Sequence, residues 1–225
     1  NKTYYPEFFE RFGFITKQIW DSVEVYGHTA LEATNKRGAE RYRQALERGY
    51  RFCPFDLKNF ETEVNNVCDL LNQSFSGFLG YTPITHKELK RILDPNRHAI
   101  DPEFFVFVRD ENDQLAGFAA SFLDFSDAVR MMKGEDGIIA RLKFLSHRRR
   151  VDRIVFYLAG ITRVEMKDPK GLGRAIAYRI IRSMLARGYE KAVFALMAEG
   201  NVSRGILDGA AAQSQRQYRL FELNL

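Results

Sequence analysis

Residues Arg153–Ala198 read RIVFYLAGITRVEMKDPKGLGRAIAYRIIRSMLARGYEKAVFALMA, a stretch whose hydrophobic pattern changes along its length. Ile154–Val164 is β-branched and aromatic, which predicts a buried strand, and Lys191–Ala198 predicts a second one. Between them, a proline and two glycines in Lys167–Gly173 indicate a tight turn, and apolar residues at helical spacing follow from Arg174. Strand, turn, helix and strand in this order predict a right-handed crossover between parallel strands.

The glycine turn has the features of an anion site. Gly171 and Gly173 lack side chains, so a ligand can approach the backbone closely. The first turn of the following helix offers N–H groups without helical partners and the positive end of the helix dipole. Lys170 and Arg174 add positive charge. A phosphate is the expected ligand. A plain strand-to-helix turn, in which the glycines serve only the chain geometry, explains the pattern equally well.

The spacing of the turn is not that of a dinucleotide or P-loop motif, because Gly-x-Gly-x-x-Gly and Gly-Lys-Ser/Thr are both absent. It resembles the GNAT superfamily of acyl-CoA-dependent N-acyltransferases. That signature is a strand ending in Val, a basic loop, and Arg/Gln-x-x-Gly-x-Gly/Ala opening a helix. Val164 and Asp168–Gly173 occupy these positions, and Glu199–Asn201 resembles the family's Asn-containing segment before its last helix.

The order of predicted elements resembles the family over about residues 52–223. The specific sequence match is confined to the central stretch, Arg153–Ala198. It implies an α/β (α+β) fold with a mixed, mostly antiparallel central sheet flanked by helices, acyl-CoA N-acyltransferase-like, for residues 50–225. Residues 27–49 are predicted to form a polar linker helix. Residues 1–26 resemble the closing helix and strand of such a domain, which indicates an upstream domain in a tandem protein; an ordinary helix–strand extension is the alternative.

One strand of the expected sheet lacks its usual sequence signal. The family's aromatic-x-x-x-Gly-Phe pattern is absent after the last predicted helix, Asn201–Ala212, which is followed by a predicted strand at Arg216–Leu223. We therefore expect Ile15–Tyr26 to complete the sheet, from the same chain or a neighbouring one.

The resemblance also implies a reaction, the transfer of an acetyl group from acetyl-CoA to an amine. The strand ending at Val164 is expected to diverge from the strand starting at Lys191, with the pantetheine arm between them. Asp168 and Pro169 depart from the family pattern, because a carboxylate repels a diphosphate and proline lacks an N–H group. The positions carried over as coenzyme contacts are Thr162, Arg163, Val164, Lys170, Gly171, Leu172, Gly173, Arg174, Ala175, Asn201 and Ser203.

The candidate catalytic residues are Asn201, Glu165 and Tyr218, and no metal site is predicted. Asn201 would orient the amine, and Glu165 lies close to the loop as a base. The tyrosine that the family often uses on its last helix is absent, which leaves Tyr218 on the next strand as the acid. Asp124 and Tyr157 lie on strands that could flank the cleft. A non-catalytic coenzyme-binding or dimerisation module of the same fold is the main alternative.

An insertion at Ser126–Arg153 is amphipathic, and we expect it to cover one edge of the cleft. It ends in the densest basic run of the chain, His147–Arg150 and Arg153. Nucleic-acid binding by this run is a third, weaker hypothesis, since no aromatic residues are interleaved with it.

Composition bounds the class of protein and its partners. The 225 residues are 45% hydrophobic and 28% charged with a net charge of +5, which is typical of a globular domain. The positive charge suits coenzyme A, and equally nucleic acid or an acidic membrane surface. Cys53 and Cys68 lie in apolar settings, so free thiols and a cytoplasmic location are expected. We expect a small-molecule or peptide amine as acceptor, a homodimer or an upstream domain as partner, and no membrane, because no apolar run is long enough to span one.

Overall fold

The structure is a computed structural model that describes residues 2, 4–162, 171–207 and 214–223. Its strands are β1 (Ile15–Tyr26), β2 (Arg51–Pro54), β3 (Phe105–Arg109), β4 (Leu115–Leu123), β5 (Arg153–Ile161), β6 (Lys191–Ala198) and β7 (Ser214–Glu222). Its α-helices are α1 (Tyr5–Arg11), α2 (His28–Glu47), α3 (Phe60–Phe75), α4 (His86–Leu93), α5 (Ser126–Arg130), α6 (Ile138–Arg148) and α7 (Leu172–Ala186). Short 3₁₀ helices cover Leu57–Asn59, Asp94–Ala99 and Val202–Leu207.

In the described part of the chain, the strands form a seven-stranded sheet in the order β2-β3-β4-β5-β6-β1-β7. All neighbouring strands are antiparallel except β5 and β6, which are parallel and joined through α7. The predicted mixed, mostly antiparallel sheet and its crossover are confirmed. β3 and β4 form a hairpin across a short polar turn.

The N-terminal strand β1 lies between β6 and β7. Its pairing with β6 runs from Tyr26 opposite Lys191 to Trp20 opposite Ala198, and its other edge pairs with β7. Ile15–Tyr26 thus completes the sheet of its own chain. The assignment of residues 1–26 to an upstream domain, of 27–49 to a linker and of 50–225 to a separate unit stays a prediction.

Helices cover both faces of the sheet and bury two hydrophobic clusters. One cluster lies under α2 and α7 and includes Ile176, Ile180 and Met184; the other lies under α3 and α4 and includes Phe107 and Phe118. The helix predicted as a polar linker packs against α7. A methyl group added at Gly38 of α2 would lie 2.8 Å from Tyr178 Cβ of α7, so glycine is what allows this close approach.

The start of α4 follows from its sequence. The Thr85 side chain accepts a hydrogen bond from the Glu88 N–H, and Glu88 Oε2 accepts one from the Thr85 N–H at 2.9 Å. These two bonds form a capping box. The Thr85 N–H and the Thr85 hydroxyl both donate to the Glu88 carboxylate and lower its pKa.

Candidate functional site

The parallel strands β5 and β6 are paired over only part of their length. Pairing runs from Arg153 opposite Lys191 to Phe156 opposite Phe194. Beyond that pair, β5 keeps its partner β4 and β6 keeps its partner β1. In the described ranges, therefore, residues 157–161 of β5 and 195–198 of β6 are not paired with each other and leave a gap, as the family resemblance implied. This space is called the strand gap below.

A β-bulge on each strand marks the point where the gap opens. On β5, Leu158 is opposite Ala120 while Phe156 is opposite Ser121, so Tyr157 is the extra residue. On β6, the register slips between Phe194 and Met197, where Leu196 has a φ of 51°. Bulges bend a strand and re-aim its side chains, which accounts for the divergence after the stacked rings of Phe156 and Phe194. Tyr157 and Leu196 are both exposed there.

The free edge of β5 is formed by alternate residues. The Thr162 N–H donates to the Ala116 carbonyl at 3.0 Å, so the main chain of Thr162 faces β4. Hydrogen-bonding direction alternates along a strand, and the main-chain groups of Ala159 and Ile161 therefore face away from β4, on the side of the gap. This corrects the assignment of Thr162 as an edge contact, because the sheet already uses its N–H. Arg163 and Val164 lie outside the described residues.

The start of α7 lies next along the chain. Gly171 is the N-cap residue and has a φ of 74°, which favours glycine. The first bond of the helix runs from the Ala175 N–H to the Gly171 carbonyl at 3.1 Å, so Ala175 is removed from the predicted amide donors. The N–H groups of Leu172 and Gly173 precede that bond and have no acceptor within the helix. Lys170 lies outside the described residues.

An arginine that the sequence reading left out of the site lies against this turn. A methyl group at Gly171 would be 2.7 Å from Cδ of Arg41, so the side chain of this α2 residue crosses the N-cap. Arg37, one helical turn earlier, lines a small cavity with Arg174 of α7. The spacing of Arg37 and Arg41 puts both on one face of α2, a signal that is visible in the sequence although the helix was predicted only as a polar linker.

Asn201 lies at the same end of the sheet as this turn, because it closely follows the C-terminal end of β6. Its N–H donates to the Ala198 carbonyl at 3.0 Å, and its carbonyl accepts from the Arg204 N–H at 3.1 Å. The predicted last helix appears, in the described residues, as the 3₁₀ helix Val202–Leu207, which contains Ser203.

Tyr218, a further catalytic candidate, does not lie next to the strand gap. Tyr218 pairs with Trp20, so the whole width of β1 separates it from β6, with two strand spacings of about 10 Å in total. Because β1 lies between β7 and β6, Tyr218 is not adjacent to β6 in the sheet. Glu165 lies outside the described residues.

Asp124 and the insertion Ser126–Arg153 lie at the N-terminal end of β5, opposite to the end where the gap opens. Asp124 bonds Arg153 at 2.7 Å, next to the point where Leu123 pairs with Ile154. Burial alone would raise the pKa of Asp124, but hydrogen bonds from Ser126 and the charge of Arg153 outweigh it and lower the pKa. The insertion carrying α5 and α6 begins and ends here, at the paired end of the strands. The two ends of the insertion therefore do not flank the gap, and the covering of a cleft edge by the insertion stays a prediction.

Two general properties complete the description of the site. Among residues 2, 4–162, 171–207 and 214–223, no group of three His, Cys, Asp or Glu side chains is arranged to hold a metal ion. In the same ranges, none of the helices has the length and apolar character needed to cross a bilayer.

No protein-family model and no curated protein matches the sequence. Several solved structures are similar to the chain, among them the following three. A GCN5-related N-acetyltransferase from Sphaerobacter thermophilus has a TM-score of 0.61 at 13% identity, over 98% of this chain and 56% of its own. The GCN5-related glucosamine N-acetyltransferase region of a fungal multi-domain GH3 β-N-acetylglucosaminidase has a TM-score of 0.54 at 10% identity, over 95% of this chain and 21% of its own. A functionally unknown conserved protein from Staphylococcus epidermidis ATCC 12228 has a TM-score of 0.51 at 10% identity, over 100% of this chain and 69% of its own.

These similarities define the class of fold. The chain has the fold of the GNAT superfamily, as the sequence resemblance predicted. It spans 56% of the length of the Sphaerobacter structure, so that protein's full activity is not transferred with the fold.

Proposed function

We propose that the protein is an N-acyltransferase that moves an acetyl group from acetyl-CoA to an amine. The observation that carries this proposal is the strand gap, which opens at the end of the sheet where the chain leads into α7. A free strand edge suits an extended arm that carries amide groups, and a helix N-terminus suits its diphosphate.

The described residues divide the binding of the donor between them. The main chain of Ala159 and the N–H of Ile161 would pair with the pantetheine amides, while the Ile161 carbonyl accepts a hydrogen bond from the Ser74 hydroxyl at 3.2 Å. The N–H groups of Leu172 and Gly173 would bind the diphosphate, and Arg174 and Arg41 would add positive charge beside them. Lys170, Arg163, Val164 and Ser203 remain part of the proposed contacts.

In the reaction, the amine nitrogen attacks the thioester carbonyl carbon, the C–S bond breaks, and a proton must reach the leaving thiolate. Asn201, at the end of β6, would orient the amine. Glu165 and Tyr218 remain proposed as base and acid. The hydroxyl of Tyr157 is an additional candidate for the acid, because Tyr157 lies on β5 itself, where the gap opens.

One observation favours a second candidate function, a coenzyme-binding module without turnover. The residues that line the gap are Tyr157–Ile161 and Ala195–Ala198, and neither segment contains a carboxylate or a histidine. A catalytic base would have to come from elsewhere in the chain or from a bound water.

Calorimetry with acetyl-CoA, followed by a thiol-release assay over a panel of amines, tests both candidates. Binding with thiol release supports the transferase, and binding without release with any amine supports the module. No saturable binding would exclude both.

A paired variant tests the place of binding. In Gly173→Val, the Cβ would lie 3.4 Å from Ile161 Cδ1, and the branched side chain would crowd the start of α7. We expect a weaker affinity for acetyl-CoA. The control is Gly77→Ala, where an added methyl group meets nothing within 4 Å. Equal affinities in both variants would contradict the assigned turn.

The proposal includes a cellular location, an acceptor and a partner. Cys53 and Cys68 are free thiols, which supports a cytoplasmic location. A small-molecule or peptide amine is the proposed acceptor, and a homodimer or an upstream tandem domain the proposed partner.

A further inference from the structure

Helix α6 carries an apolar stripe on its outer side. The stripe consists of four aliphatic residues that are between 47% and 79% exposed: Ile138, Ile139, Leu142 and Leu145. Their spacing places them on one face of the helix. The opposite face holds buried Ala140 and half-buried Phe144. The ring centroids of Phe144 and Phe125 are 5.9 Å apart. The stripe therefore points away from the protein body.

Cations flank the stripe on both sides. Arg141 and Lys143 are exposed and lie about 100° around the helix from its centre, one on either side. Three further arginines follow, so that the segment 137–151 holds five cations and no Asp or Glu: Arg141, Lys143, Arg148, Arg149 and Arg150. Glu135 and Asp136 precede this segment. An aliphatic face bordered by long basic side chains is the pattern of a helix that lies in a bilayer interface.

The charge distinguishes between the possible occupants of this face. A second copy docking through the same stripe would bring two sets of cations together, with no carboxylate in either segment. A protein partner is usually recognised by aromatic or arginine anchors that fill pockets, whereas this stripe is a convex row of Ile and Leu. A fluid acyl layer beneath anionic headgroups matches both the aliphatic row and its basic borders.

We propose that α6 docks the protein on the surface of an anionic phospholipid bilayer, with its axis in the plane of the interface. This requires no spanning segment, and it revises the expectation that the protein has no membrane partner. The proposal rests only on α6 and is independent of acetyl transfer.

Vesicle flotation of the full chain tests the proposal. The probes are vesicles of phosphatidylcholine alone and of phosphatidylcholine with phosphatidylglycerol at about three to one. We expect binding to the anionic vesicles that weakens at high salt, since the attraction is screened. Leu142→Glu should lower the partition coefficient by at least about ten-fold, because a charge replaces a leucine side chain that the proposal places in the acyl layer. Arg141→Gln should lower it about five-fold, the effect of one basic residue near the surface.

A matched control distinguishes the stripe from exposed aliphatic residues in general. Ile92 of α4 is 55% exposed, and Ile92→Glu should leave vesicle binding unchanged. Circular dichroism checks that each variant keeps the wild-type fold, as expected for exposed positions. The proposal is overturned if wild type does not float with anionic vesicles at low salt, or if both glutamate variants behave alike. It is also overturned if neutral vesicles bind equally well, or if the stripe captures an acidic protein but no vesicles.

Discussion

The substitution Gly160→Ala tests how closely β5 packs against Ser74 of α3 and Phe118 of β4. Gly160 lies on β5 beside the strand gap, and an added methyl group would be 2.7 Å from Phe118 Cε1 and 2.7 Å from Ser74 Oγ. Phe118 is fully buried and Ser74 nearly so, so neither can move into open space. The Ser74 hydroxyl also donates to the Ile161 carbonyl at 3.2 Å, a bond that the new methyl group would disturb.

The size of the effect follows from these contacts. Overpacking costs about 1–3 kcal/mol, and a lost hydrogen bond about 1 kcal/mol. Removing a glycine from a strand regains roughly 0.5–1 kcal/mol of backbone entropy. The expected net loss of unfolding free energy is about 2 kcal/mol, which corresponds to a lower Tm by about 4–8 °C for a chain of this size.

Urea unfolding followed by circular dichroism measures this loss, and calorimetry measures the affinity for acetyl-CoA. We expect Gly160→Ala to bind more weakly as well, because displacing β5 moves the edge formed by Ala159 and Ile161. The control Gly77→Ala has free space around its new methyl group and should match wild type. A Gly160→Ala protein as stable as wild type would refute the close packing of β5 on α3.

Three further substitutions have expected outcomes. Thr85→Ala removes the capping box with Glu88 and should lower the unfolding free energy by about 1 kcal/mol, measured in urea; no change would contradict the cap. Asp124→Asn breaks the ion pair with Arg153. Because the pKa of Asp124 is lowered in the folded state, its contribution is complete above about pH 5 and is lost as the pH falls through the folded pKa. The variant should thus be less stable than wild type at pH 7, and the difference should shrink as the pH falls below the ordinary aspartate range; a difference independent of pH would contradict this. Arg41→Ala should weaken acetyl-CoA binding about five-fold with unchanged stability, and unchanged affinity in calorimetry would remove Arg41 from the site.

Local patterns predicted those elements whose causes are local. The crossover from β5 through α7 to β6 follows from hydrophobic periods and glycine positions, and the α4 cap follows from Thr85 and its partner three residues on. The bounds of β1 and β6 agree with the predicted ranges for the same reason.

Long-range packing decided the rest. Neither Tyr157 nor Leu196 is a glycine or proline, so nothing in their own sequence signals the two bulges that open the strand gap. Arg41 reaches the glycine turn only because Gly38 lets α2 approach α7, and helix periodicity contains no information about that neighbour. Main-chain direction is likewise set by the register with β4, which is why Thr162 was assigned to the wrong edge.

The central claim is that the free edge of β5 and the first turn of α7 together bind the acyl donor. A titration of the isotope-labelled protein with coenzyme A, followed through its backbone amide NMR signals, tests this most directly. We predict saturable shifts at the amides of Ala159 and Ile161 and of Leu172 and Gly173, with little change at Thr162 and Ala175 beyond that of near neighbours. Saturation that leaves both segments unshifted, or shifts confined to another face of the sheet, would contradict the account.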